Sequence, residues 1–195
     1  MKKQSDQVSV PTLEQIEAER KRIKYKKQYN RTLRSTIAVL LVAAAAAVLV
    51  ATLWMPVMHV YGSSMSPTLE DGQIVVAFNG TKFETGDVVA LWLGNKLLVK
   101  RVIAGPGDWV DIDPDGTVSV NNSVIDEPYL LEKAFGECNL RLPYQVPDSK
   151  WFVMGDNRGV SVDSRNTAVG CISDEQIIGR IVLRIWPAYD FKILR

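Results

Sequence analysis

The distribution of apolar and charged positions divides the chain sharply. From Ser35 to Leu69 there is no Asp, Glu, Lys or Arg, and Thr36 to Met55 is apolar almost throughout (TIAVLLVAAAAAVLVATLWM). A hydrocarbon core about 30 Å thick needs about 20 such residues at about 1.5 Å rise each, so residues 35–57 are expected to cross a bilayer as one helix. The run lacks the polar face of a helix packed on a soluble core. It also exceeds the apolar region of a cleavable signal peptide, about 7–15 residues, and is read as an uncleaved anchor. Trp54 stands where an interfacial aromatic would sit and equally fits an ordinary apolar position of the span.

Upstream, residues 1–11 are polar and are expected to be disordered. Thr12 and Gln15 have capping-box spacing ahead of a basic helical stretch that leads into the span. Downstream, the period changes to that of strands. Strands are expected at Val57–Tyr61, Gln73–Phe78, Asp87–Leu93, Leu97–Ile103, Trp109–Ile112, Val118–Val120, Trp151–Met154 and Ile177–Ile185. The turn pairs Asp71-Gly72, Asn79-Gly80, Gly94-Asn95 and Asp115-Gly116 punctuate them. This spacing, with little helical pattern between, predicts a mainly β fold: an antiparallel, barrel-like domain over residues 58–195, after a leader at 1–34 and an anchor at 35–57.

Net charge is only +1 and argues for neither nucleic acid nor an acidic substrate, but its distribution is informative. Eight Lys or Arg lie between Arg20 and Arg34, with no acid among them, while Glu70 and Asp71 are the first charges after the span. The positive-inside rule therefore leaves the leader in the cytoplasm and exports the rest. Cys138 and Cys171 fall in the exported part, where a disulfide persists if they meet, which their spacing does not decide. With one histidine, His59, and no close cysteine pair, no metal or other cofactor is implied.

Three clusters carry candidate chemistry. Gly62-Ser63-Ser64-Met65-Ser66-Pro67-Thr68-Leu69 follows the anchor; alone, it reads as a turn. In Leu98-Val99-Lys100-Arg101-Val102-Ile103 a lysine interrupts an apolar strand and shares a face with Leu98 and Val102. Burial there would lower its pKa and leave a neutral base; an edge lysine facing water fits the same pattern. The third cluster, Gly155 to Arg165, contains Ser161, Asp163 and Arg165. His59 lies five residues before Ser64, so on a continuous strand it would face the other way and make a poor base for that serine.

In order and detail these clusters resemble the conserved boxes of bacterial type I signal peptidases in their shorter, single-anchor, Gram-positive form. The likeness extends to Gly86-Asp87-Val88-Val89, Asp126-Glu127-Pro128-Tyr129-Leu130 and Ile178-Gly179-Arg180…Ile185-Trp186-Pro187, covering roughly residues 35–190. The resemblance implies a serine endopeptidase with Ser64 as nucleophile and Lys100 as general base, a recognised variant of the serine triad. It implies that Ser161 orients the lysine amine and that Asp163 and Arg165 brace the catalytic wall. Met58, Val60, Tyr61, Leu98 and Val99 match strand segments that line pockets for small residues at the first and third positions before the cut. The implied partners are signal-peptide-bearing preproteins, the lipid bilayer and the export machinery. Gly62 stands where some members carry a serine that donates to the oxyanion, so a side-chain second donor is unassigned. Lys100→Arg is expected to fold normally and lose activity, because a guanidinium keeps its proton. Competing readings are a silent assembly relative, which would lack the serine or lysine, and a self-cleaving Ser-Lys repressor, which is soluble and binds DNA. A signal peptidase with a narrow client list is a third.

Overall fold

The structure is a computed structural model that describes residues 12–80 and 82–194. The leading segment 1–11, expected to be disordered, lies outside the described residues. Thr12 and Gln15 form the anticipated reciprocal cap: the Thr12 N–H donates to Gln15 Oε1 at 3.0 Å and the Gln15 N–H to Thr12 Oγ1 at 3.4 Å. Helix α1 then runs unbroken over Leu13–Trp54, with every residue exposed. It is long and apolar enough to cross a membrane. Pro56 ends it, because the residue before a proline is pushed out of the helical region.

Two compact units divide the chain, Met1–Val50 and Ala51–Arg195. The second is built from twelve strands: β1 (Val57–His59), β2 (Ile74–Phe78), β3 (Val88–Leu93), β4 (Lys96–Ala104), β5 (Trp109–Ile112), β6 (Val118–Val120), β7 (Ser123–Val124), β8 (Tyr144–Gln145), β9 (Lys150–Met154), β10 (Ile172–Ser173), β11 (Ile177–Trp186) and β12 (Lys192–Ile193). The larger sheet has the order β1-β2-β11-β3-β4-β9-β10, with β12 on β11; the smaller has β7-β6-β5-β8. All pairings are antiparallel. The fold is thus mainly β and antiparallel, as expected, and the larger sheet is an open path between β1 and β10 and not a closed barrel.

Alternation along the strands explains the packing. One core gathers Met58, Val60, Met65, Leu69, Val75, Ala77, Val88 and Ala90, with Val99 against it. Another holds Val89, Leu91, Val102, Val153 and Ile172, with Leu98 against it. A third joins the smaller sheet, through Val110, Ile112 and Val118, to Phe152 and Met154 of β9. All eight expected strands are present within one or two residues. The two-residue strands β7, β8, β10 and β12 were not anticipated, since two residues display no period.

Two of the unpaired strand edges in the larger sheet bear on the site, those of β1 and of the first half of β4. β1 is the last strand of its sheet. The Val60 N–H donates to Gln73 O and Pro56 O accepts from the Ala77 N–H, so positions 56, 58 and 60 bond β2. Val57, His59 and Tyr61 therefore aim their backbone groups at the free edge. β4 pairs with β3 from Lys96 to Arg101, but with β9 only at Arg101, Val102 and Ala104. Val102 bonds Asp87 on the β3 side, so Leu97 and Val99 direct their backbone outward along an unpaired edge. Counting antiparallel steps across the order, β1 and β4 run in the same direction.

Candidate active site

Lys100 lies on β4 opposite Val89, on the face shared with Leu98 and Val102. It is 3% exposed. Its amine donates to Ser161 Oγ at 2.8 Å. Burial drives the Lys100 pKa below its ordinary value of 10.5. Asp163 opposes that shift, Arg165 reinforces it, and Asp156 again opposes it. Of the two environments the sequence allowed for this lysine, a buried site and an exposed edge, the first is realised.

Asp163 and Arg165, in the same loop as Ser161, are fully buried. Arg165 grips Asp163 with two parallel contacts, Nε to Oδ1 at 2.8 Å and Nη2 to Oδ2 at 2.9 Å. Its remaining donors reach backbone oxygens of Phe135 at 2.8 Å, Arg158 at 2.9 Å and Ser161 at 3.3 Å. The Gly155 N–H donates to Asp163 Oδ2 at 3.0 Å. Burial alone would raise the Asp163 pKa, but the Arg165 pair, the Gly155 N–H and the Ser161 hydroxyl outweigh it and hold the carboxyl below 3.8.

Ser64 is half-buried in the turn after β1. Its carbonyl accepts from the Asn157 N–H at 3.0 Å, which ties the turn to the loop carrying Ser161. Gly155 marks how closely they meet: a Cβ there would lie 2.5 Å from Ser64 O and nearer still to Ser161 Oγ. The Lys100 amine is bonded to Ser161 and makes no hydrogen bond to the Ser64 hydroxyl.

A cleft of about 590 Å³ opens beside Ser64, lined on one side by Val57 to Gly62 and on the other by Lys96 to Val99. All five expected pocket residues, Met58, Val60, Tyr61, Leu98 and Val99, line it. Both of its walls are the open strand edges. His59 also lines it and stacks on Tyr61 with ring centroids 4.6 Å apart. Because β1 stops at His59, strand alternation does not carry through to Ser64, and that part of the sequence argument falls away. The Gly62 N–H is held by Asp71 Oδ1 at 2.7 Å. The two cysteines, Cys138 and Cys171, are free and half-buried.

Residue-by-residue reading left the flanking network unassigned. Arg101, next to the lysine but on the opposite face, makes a bidentate pair with Asp156 at 2.8 and 2.6 Å. It also donates to Gly86 O at 2.6 Å and covers the Tyr129 ring at 3.9 Å. The Tyr129 hydroxyl donates to Glu127 at 2.8 Å, and Glu127 pairs with buried Arg158. The signal was present in the stretches Gly155–Arg158 and Asp126–Leu130, but sequence order does not reveal which acid meets which base.

Comparison with known proteins places the chain in a family. The family model described as signal peptidase, peptidase S26 matches residues 33–186. Signal peptidase IB of Staphylococcus aureus (strain COL) is 38% identical over 156 residues, covering 67% of this chain and 78% of the relative. Signal peptidase I of Bacillus licheniformis is 36% identical over 146 residues, covering 68% and 77%. The crystal structure of a signal peptidase I from Enterococcus faecalis V583 aligns with a TM-score of 0.44 at 25% identity, over 51% of this chain and 96% of that one. With that model matched over most of its length, and a relative 38% identical over two thirds of it, the chain belongs to the signal peptidase family, peptidase S26.

Proposed function

We propose that this chain is a type I signal peptidase in which Ser64 and Lys100 form the catalytic dyad. The observation that carries the reading is the burial of Lys100 beside the Ser64 turn, with its amine anchored to Ser161 and its pKa lowered. A neutral amine takes the Ser64 hydroxyl proton as Oγ attacks the scissile carbonyl. The oxyanion of the tetrahedral intermediate is stabilised by the Ser64 N–H. The ammonium of Lys100 then returns its proton to the departing amine as the C–N bond breaks. Water, deprotonated by the same lysine, hydrolyses the ester and restores Ser64. Asp163 and Arg165 do not touch substrate; they fix Ser161, and Ser161 fixes the amine.

The substrate enters as an extended strand between the open edges of β1 and β4, taking up backbone groups on both sides. Its first and third residues before the cut point into the apolar side of the cleft at Met58, Val60 and Val99, where limited room selects small side chains such as alanine. The chain before the cut arrives from the Val57 end and so runs parallel to both edges. The basic stretch Arg20–Arg34 favours a cytoplasmic leader, placing the cleft at the outer membrane face, where preproteins emerge from the export machinery. The full chain in detergent should cut a preprotein at an Ala-x-Ala site, and Ser64→Ala should abolish the cut. Equal cutting by both would remove Ser64 from the mechanism, and no cutting by either would remove the activity.

A further inference from the structure

The cleft is apolar along most of its length, and its charged lining is one-sided. Among the described residues, Lys96 and His59 are its only basic lining side chains, and no acid lines it. Asp71, beside the Ser64 end, is bonded to the Gly62 N–H. Lys96 is exposed at the start of β4 and forms no ion pair among the described residues. It sits two alternate positions before the base on the same face, so Lys96, Leu98 and Lys100 form one row.

From this row we infer that Lys96 reads charge at the fourth residue before the cut, favouring an acidic side chain there and disfavouring a basic one. The inference rests on the peptidase reading above and adds a specificity determinant to it. A bound strand parallel to β4 alternates its side chains. With the first and third residues turned toward Met58, Val60 and Val99, the second and fourth turn toward Leu98 and Lys96. Lys96 stands four positions before Lys100 on β4, about 13 Å at about 3.3 Å per residue, and the flexible lysine stem covers the remaining offset to the fourth substrate side chain. Low-dielectric walls concentrate the field of the charge, while the open mouth keeps the effect modest.

The test uses the full chain in detergent at low salt and three preproteins identical except for Glu, Gln or Lys at the fourth position before the cut. For wild type, kcat/KM should be about two- to fivefold higher for Glu than for Lys, with Gln between. Lys96→Glu should invert the order, and Lys96→Gln should flatten it. Lys150→Glu, which changes net charge equally at the exposed start of β9, should leave the wild-type order intact, and raised salt should shrink the ratio. A ratio near one in wild type, or one unchanged in Lys96→Glu, overturns the inference while leaving the peptidase reading in place. Failure of wild type to cut any of the three sinks that reading, and this inference with it.

Discussion

Gly155 offers the sharpest test of how the site is held together. Its backbone does not need glycine for conformational reasons, since its φ lies outside the left-handed range. What it needs is space. In Gly155→Ala the added carbon would meet Ser64 O at 2.5 Å and Ser161 Oγ more closely, whereas Cβ atoms keep at least 3.0 Å from such neighbours. One or both oxygens must retreat by about 0.5 Å or more, since contacts this short are strongly repulsive. Neither is free to go: Ser64 O is bonded to the Asn157 N–H at 3.0 Å, and Ser161 Oγ holds the Lys100 amine at 2.8 Å. Overpacking of this kind costs about 1–3 kcal/mol of stability. Displacing catalytic groups by about 1 Å costs about 10²-fold in rate. The expected outcome is a folded protein with kcat lowered by about 30- to 100-fold and KM little changed, since the pocket walls are untouched. The assay is steady-state cleavage of an Ala-x-Ala preprotein, paired with a thermal unfolding curve. A Gly155→Ala enzyme with kcat within about threefold of wild type would refute the idea that Ser64 and Ser161 are spaced by this glycine.

Other expectations arise from the same contacts. Lys100→Met should be inactive yet at least as stable as wild type near neutral pH, because it removes an amine whose burial opposes charging. The corresponding linkage is that a lysine with a lowered folded pKa adds stability as pH rises from that pKa toward 10.5, and activity should rise through the same lower limb; a flat kcat/KM profile in that range would count against a lysine base. Asp163 gives the same slope in a lower window: its depressed pKa contributes stability above 3.8 that is lost as pH falls through the folded value, so Asp163→Asn should show a flatter acid limb in urea unfolding, on a lower baseline. Arg101→Ala leaves Asp156 buried without its partner and should lower unfolding free energy by about 3–5 kcal/mol. Lys100→Arg, which sequence alone suggested would fold normally, should instead be destabilised, because a permanent cation would occupy a 3% exposed site; an unfolding midpoint equal to wild type would contradict this.

The legible parts of the protein were those with a local period or a local exception. Alternation located the eight longer strands, and the lysine stood out because it broke an apolar row between Leu98 and Val102. Resemblance supplied the order Ser64, Lys100, Ser161, Asp163, Arg165, and their assembly follows the β4-β9 pairing that brings the loop after Met154 beside the lysine strand. What stayed hidden was long-range and aperiodic. Nothing in the irregular stretch from Asp126 to Pro143 announces that Tyr129 lies under Arg101 or that Glu127 meets Arg158. Nor does sequence reveal that β4 loses its second neighbour before Arg101, because an unpaired edge is a property of what is absent beside a strand.

In the proposed mechanism Arg165 gives the smaller sheet a part in the chemistry, although that sheet contributes no residue to the cleft. Its guanidinium holds the carbonyl of Phe135, and Phe135 packs against the cluster that Val110, Ile112 and Val118 of that sheet form with Phe152 and Met154. Loosening the sheet therefore releases a hand that also grips Asp163. Catalysis should fail at the temperature or denaturant concentration where this outlying layer melts, before the larger sheet comes apart, so that turnover serves as a gauge of a region that never touches the substrate.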